Sequence, residues 1–314
     1  MRWPSACALS VLVVCASSVT SAQGTRTATA SGTFQRADTA LLHRTLDSLS
    51  GAHRGVVGYT VHNLDTGERL ERRGDETFPT ASLIKVPVLV TVYDLVEKGM
   101  LGLDDPLTVL RIDKVGGAGT LQFMHDNATI TVHDAAWLMT TISDNTATNL
   151  LLDRIIIRRV WDKMEALGLM HSKVHSKSFL RSASVAMDSS VKYGLGVTTP
   201  NEMARLFALL ANGKAVSLRA DSVMLDILAH NEDGGKLQRY VEGLNVPHKT
   251  GDTDQVRTEC GLFPLQSRVA YCVLTKENKD QRYMIDNEAH MMMAHMGEAI
   301  VRAWPRRPAS RTAP

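Results

Sequence analysis

Leucines at positions 41, 42, 46 and 49 recur with helical spacing through residues 38–50, so a helix is expected there. Two strand-like runs follow, 56–64 and 69–73, separated by the turn residues Asp65-Thr66-Gly67, which predicts a hairpin. From residue 83 to 210 the apolar period is mainly helical, with breaks at Gly116-Gly117-Ala118-Gly119 and around 192–196. Strand character returns near Val246 and runs through 268–275, and residues 287–303 form a closing amphipathic helix. Helix and strands, a helical insert, then strands and a last helix require an α+β sheet covered by helices, with an all-helical lobe inserted at roughly 86–212.

The two ends read differently. Residues 1–22 carry one basic side chain, Arg2, then an apolar stretch from 6 to 16, then Thr20-Ser21-Ala22, the pattern of a secretory signal peptide. Val14 before Cys15 suits lipid attachment poorly, so Cys15 reads as an apolar signal residue. Residues 23–37 are rich in Thr, Ala, Ser and Gly and form a flexible tether, 38–304 form the catalytic domain, and 305–314 are a disordered tail rich in Pro and Arg.

No later window is apolar for the roughly 18 residues a membrane helix needs, which gives the expectation of an exported soluble protein, periplasmic or secreted. The 314 residues, 44% hydrophobic and 22% charged, are enough for a sizeable core. Losing the signal removes one of 35 basic and none of 33 acidic side chains, so the formal charge falls from +2 to +1, which gives nucleic acid nothing to bind. Cys260 and Cys272 sit symmetrically about a turn at 264–267, nearly opposite one another, either as a cross-strand disulfide or as two packed thiols.

Three short patterns bear on chemistry. Ser82 and Lys85 stand three apart at the start of a helix, where backbone N–H groups are free and a lysine can take the serine's proton. Alone, they read equally as a capping serine and a surface lysine. Ser143-Asp144-Asn145 interrupts an apolar run from 137 to 152, either as a polar site needing partners or as a helix cap. Lys249-Thr250-Gly251 lies on an edge strand, where the glycine lets a ligand come close to the backbone, or where the strand simply ends.

Together, and in this order, Ser-x-x-Lys, Ser-Asp-Asn and Lys-Thr-Gly are the signature set of class A β-lactamases and penicillin-binding proteins. The chain resembles class A from about residue 40 to 304, with support from 138–152 (LMTTISDNTATNLLL) and from Thr198-Thr199-Pro200-Asn201-Glu202-Met203-Ala204. The resemblance implies a five-stranded antiparallel sheet in a three-layer α/β/α, β-lactamase/transpeptidase-like arrangement, no cofactor or metal, a small β-lactam or peptidoglycan-like substrate, and a monomer. It implies roles as well. Ser82 is acylated, Lys85 accepts its proton, and the backbone N–H groups of Ser82 and Asp252 hold the oxyanion. Ser143 passes a proton to the leaving nitrogen under the field of Lys249, and Asn145 bonds the substrate's side-chain amide. Lys249, Thr250 and Arg257 take its carboxylate.

Two departures matter. Asp252 brings a negative charge to the anion site unless it turns outward or pairs with Arg257. The family's loop glutamate, which activates the deacylating water, falls by counting near Ala183, where no carboxylate stands; Asp188 is the nearest acid. Slow deacylation is therefore expected. The histidine pairs 171/175 and 290/295 lack a third ligand and are read as structural, the Met-rich last helix as core, and Gly116 to Gly119 as the rim of the cleft. A D-alanyl-D-alanine peptidase or esterase using the same serine, or a sensor acylated once, remain alternatives.

Overall fold

The computed structural model describes residues 34–306. The expected signal peptide, most of the expected tether and the last eight residues lie outside the described residues. In chain order the elements are α1 (Thr39–Ala52), β1 (Val56–Asn63), β2 (Arg69–Arg72), β3 (Phe78–Pro79), α2 (Lys85–Glu97), β4 (Pro106–Val109), β5 (Ala128–Thr131), α3 (Val132–Thr141), α4 (Asn145–Ile155) and α5 (Ile157–Ala166). They continue with β6 (Lys173–Val174), α6 (Met187–Tyr193), β7 (Gly196–Thr198), α7 (Pro200–Ala211), α8 (Leu218–Ala229), β8 (His248–Thr253), β9 (Val256–Pro264), β10 (Arg268–Lys276) and α9 (Glu288–Ala303).

The main sheet has five strands in the order β2-β1-β10-β9-β8, paired antiparallel throughout. Its strands alternate faces with period two. Val269, Tyr271 and Val273 of β10 pack toward Leu42 and Leu46 of α1 and Met293, Met296 and Ile300 of α9. Ala270, Cys272 and Leu274 pack toward the helical lobe, whose core includes Leu89 and Val92 of α2, Leu151 of α4 and Phe207 of α7. Helices thus cover both faces, and the expected α+β, three-layer architecture is present.

Helix α2 is the axis of the lobe. Every residue from Lys85 to Leu95 is buried, so it carries no polar face, and its one buried carboxylate, Asp94, is held by Lys98 and Lys163, both at 2.6 Å. The lobe's helices run on to Ala229, beyond the expected limit near 212, because α8 packs Met224, Ile227 and Leu228 into the same core. Cys260 and Cys272 are direct partners in the β9–β10 register and their sulfurs are bonded.

Candidate active site

Residues Ala81–Ile84 form a single 3-10 turn that runs into α2, so Ser82 stands at the helix entrance, and Ala81 before it takes a left-handed φ of 48°. Lys85, one turn further, is buried. Its Nζ lies 2.8 Å from the Ser143 carbonyl, 3.1 Å from Ser143 Oγ and 2.9 Å from Asn145 Oδ1. Burial pushes the Lys85 pKa well below the usual lysine range, the charge of Lys249 pushes the same way, and Asp144 opposes both. Such a lysine shifts toward the neutral amine, whose lone pair can accept a proton.

Ser143 comes from the link between α3 and α4, and Asn145 is the first residue of α4. Asp144 fixes that link: it caps α4 through the Ala147 N–H at 2.9 Å and takes the N–H groups of Thr120 and Leu121 at 2.6 and 2.8 Å. The loop 116–121 is thereby tied beside the site, with Gly117 and Ala118 on the cleft rim. Asn145 spends its oxygen on Lys85 and one amide hydrogen on the Gly116 carbonyl at 3.1 Å, which leaves one N–H for a ligand.

Strand β8 supplies the third wall. A Cβ on Gly251 would stand 2.5 Å from the Thr80 oxygen and 2.7 Å from the Ser82 nitrogen, so only glycine lets β8 lie against the serine turn. Thr258 Oγ1, 2.9 Å from the Thr80 carbonyl and 3.2 Å from that of Gly251, locks the two together. Lys249 is buried and its Nζ donates to the Thr250 carbonyl at 3.0 Å. Burial lowers its pKa to about 8, against the attraction of Asp233.

Ser82, Ser143, Asn145, Lys249, Thr250, Gly251 and Asp252 all line one cleft of about 1470 Å³, with Lys85 beneath its floor. Arg257 does not. Asp252 and Arg257 are cross-strand partners on the face of the sheet away from Gly251 and Thr258. The Arg257 guanidinium is fully buried, donates to the carbonyls of Thr253, Val256 and Arg282, and lies 4.8 Å under the Tyr283 ring. The expectation that it takes a substrate carboxylate is corrected: it does not line the cleft, its two terminal nitrogens donate to backbone, and its Nε has only the Asp252 carboxylate nearby, at 3.5 Å.

Asp252 pairs chiefly with Lys236 at 3.0 Å, with Arg257 and His290 each 3.5 Å away. Lys236, absent from the sequence expectations, is buried and also holds Asp233 at 2.7 Å. Burial would raise both carboxyl pKa values, yet the Lys236 charge overrides it and holds both below the usual range.

The segment opposite also differs from the count along the chain. Ser176, Lys177, Ser178, Phe179 and Arg181 line the cleft, whereas Ala183 and Asp188 do not; Asp188 sits exposed in the first turn of α6. Asn149 clasps Ser178 at both backbone groups, accepting its N–H at 2.8 Å and donating to its carbonyl at 3.1 Å. Ser178 is thus the loop residue pinned at the cleft wall, and its buried hydroxyl has no hydrogen-bond partner among the described residues. His171 bonds Glu202 at 2.8 Å and His175 faces the Gly194 carbonyl at 3.3 Å.

Comparison with known proteins places this geometry. The β-lactamase from Sphaerobacter thermophilus superposes with a TM-score of 0.75 at 28% identity, over 85% of this chain and 97% of that one. A point mutant of PBP-A, solved as an acyl-enzyme complex with penicillin G, superposes at 0.74 with 26% identity, over 86% and 98%. β-Lactamase L2 of Stenotrophomonas maltophilia is 27% identical over 221 residues, 66% of this chain and 68% of its own length. A family model described as the β-lactamase enzyme family matches residues 41–304. The chain belongs to the β-lactamase enzyme family, whose fold it shares.

Proposed function

We propose that this protein is an exported serine hydrolase of the class A type that opens the β-lactam amide through an acyl-enzyme on Ser82 and releases it slowly. The observation that carries the reading is the buried Lys85 amine, one helical turn from Ser82 and 3.1 Å from Ser143 Oγ. Neutral Lys85 takes the Ser82 proton as Oγ bonds to the lactam carbonyl carbon. The oxyanion forms between the N–H groups of Ser82 and Asp252, each donor contributing roughly 3 kcal/mol of transition-state stabilisation. As the C–N bond breaks, the proton passes from Lys85 to Ser143 and from Ser143 to the leaving nitrogen, so the amine is restored.

With Arg257 occupied elsewhere, the substrate carboxylate is left to Lys249 and Thr250, and Lys236 offsets the two aspartates beside them. Release requires water and a base. The cleft-lining residues 176–181 contribute two lysine or arginine side chains, two hydroxyls and a phenyl ring but no carboxylate, which supports deacylation slower by about 100 to 10,000-fold than with a placed base. The acyl-enzyme complex of a PBP-A mutant with penicillin G supports acylation by a penicillin in a related fold.

A chromogenic cephalosporin mixed with the mature protein tests the reading. The expected trace is a burst equal to the enzyme concentration followed by slow turnover, both abolished by Ser82→Ala; fast linear hydrolysis without a burst would contradict slow release. The same missing carboxylate favours a second reading, a peptidase in which an amine rather than water takes the acyl group, and added D-amino acids accelerating release would support it.

A further inference from the structure

Phe179 is 74% exposed, yet it is not loose. It takes a φ of 57°, a backbone conformation that suits few side chains, immediately after the residue that Asn149 clasps at both backbone groups. Its ring then reaches the opposite loop. A Cβ on Gly117 would meet Phe179 Cε2 at 3.0 Å and Cζ at 3.1 Å, and would meet Asn145 Nδ2 at 2.8 Å. The ring edge and the Asn145 amide therefore share one bare glycine, and all three line the cleft. An exposed aromatic at a cleft mouth, fixed by its neighbours and lying beside a free amide hydrogen, is a binding surface that costs little to order.

Resting on the reading that Ser82 is acylated, we infer that Phe179 determines specificity: its ring is the apolar wall for a substrate's acyl substituent, and the site prefers acyl-amino substrates bearing a planar aryl group. The remaining Asn145 N–H meets the carbonyl of the substrate's side-chain amide. The substituent beyond that carbonyl lies along Gly117 and stacks on Phe179.

The test compares acylation of Ser82 by benzylpenicillin and by the penicillin with an acetyl group in place of phenylacetyl, followed by intact mass. Phe179→Asn removes the ring while suiting the left-handed backbone, and Phe179→Tyr keeps a ring. The benzyl-to-methyl ratio of acylation rates is expected to fall about tenfold in Phe179→Asn, as loss of an aromatic contact predicts, with the methyl compound within twofold of wild type and Phe179→Tyr retaining the preference. An unchanged ratio while both penicillins acylate overturns the assignment, as does an equal slowing of both, which would mark a loop-supporting residue. Failure of benzylpenicillin to acylate the wild type would instead overturn the underlying reading and this inference with it.

Discussion

Gly251→Ala is the sharpest small perturbation of the site. The added Cβ would stand 2.5 Å from the Thr80 oxygen, 2.7 Å from the Ser82 nitrogen and 2.7 Å from Thr258 Oγ1, all closer than the 3.0 Å below which real Cβ atoms essentially never approach. Two of these three atoms are backbone of the serine turn, which cannot rotate away, so β8 must retreat by roughly 0.5 Å or more. The retreat widens the gap between the Ser82 and Asp252 N–H groups and weakens one or both at the oxyanion. Losing one such donor costs about 3 to 4 kcal/mol, a factor of about 100 to 1,000 in rate. Stopped-flow acylation by a chromogenic cephalosporin measures it, with a thermal melt showing that the fold persists. Acylation within threefold of wild type in a folded Gly251→Ala protein would refute the geometry assigned to β8.

Acylation should rise with pH as Lys85 loses its proton and fall above about pH 8 as Lys249, whose pKa burial lowers to about 8, loses the charge that steadies Ser143 and the substrate carboxylate; a pH profile of the burst rate checks it. Lys236→Ala leaves the partly exposed Asp233 and Asp252 without the cation between them; water screens both carboxylates, so the cost is about 1 kcal/mol, seen as a Tm lower by roughly 2 to 4 °C. In the wild type the two aspartates have folded pKa values below their unfolded ones. Their stabilisation is therefore present above about pH 4 and lost as pH falls further through the folded values, which acid unfolding of wild type and Lys236→Ala would compare. Ser178→Glu puts a carboxylate at the loop position pinned by Asn149, and release of the acyl-enzyme should speed by about 100-fold or more; a half-life of the adduct equal to wild type would remove Ser178 from the water's path.

Much of this was legible along the chain because the informative signals are local. Helical spacing in α1 and α9, the turn before β2 and the symmetric cysteines each depend on neighbours within a dozen residues, and the three short motifs mark their own positions. What the chain hid depends on contacts between distant segments. Arg257 was misjudged by one strand position: residues opposite Lys249 and Gly251 share the cleft-facing side, and Arg257, opposite Asp252, falls on the other.

The loop was misjudged because counting back from Pro200 assumes a fixed length, whereas its register is set by Asn149, 29 residues before Ser178. Lys236 carries no periodic signal at all. It lies in a loop, and only the fold brings Asp233 and Asp252 to it. Phe179 likewise reads as half of an apolar pair with Leu180 in a polar stretch until Gly117 is placed beside its ring.

The most direct test of the account is a time course of intact mass for the mature protein mixed with penicillin G, with the modified peptide mapped. The account predicts one covalent adduct per molecule on Ser82, formed within the burst and persisting for many times the acylation time, and none in Ser82→Ala. No adduct at any time, or one on another residue, would contradict it.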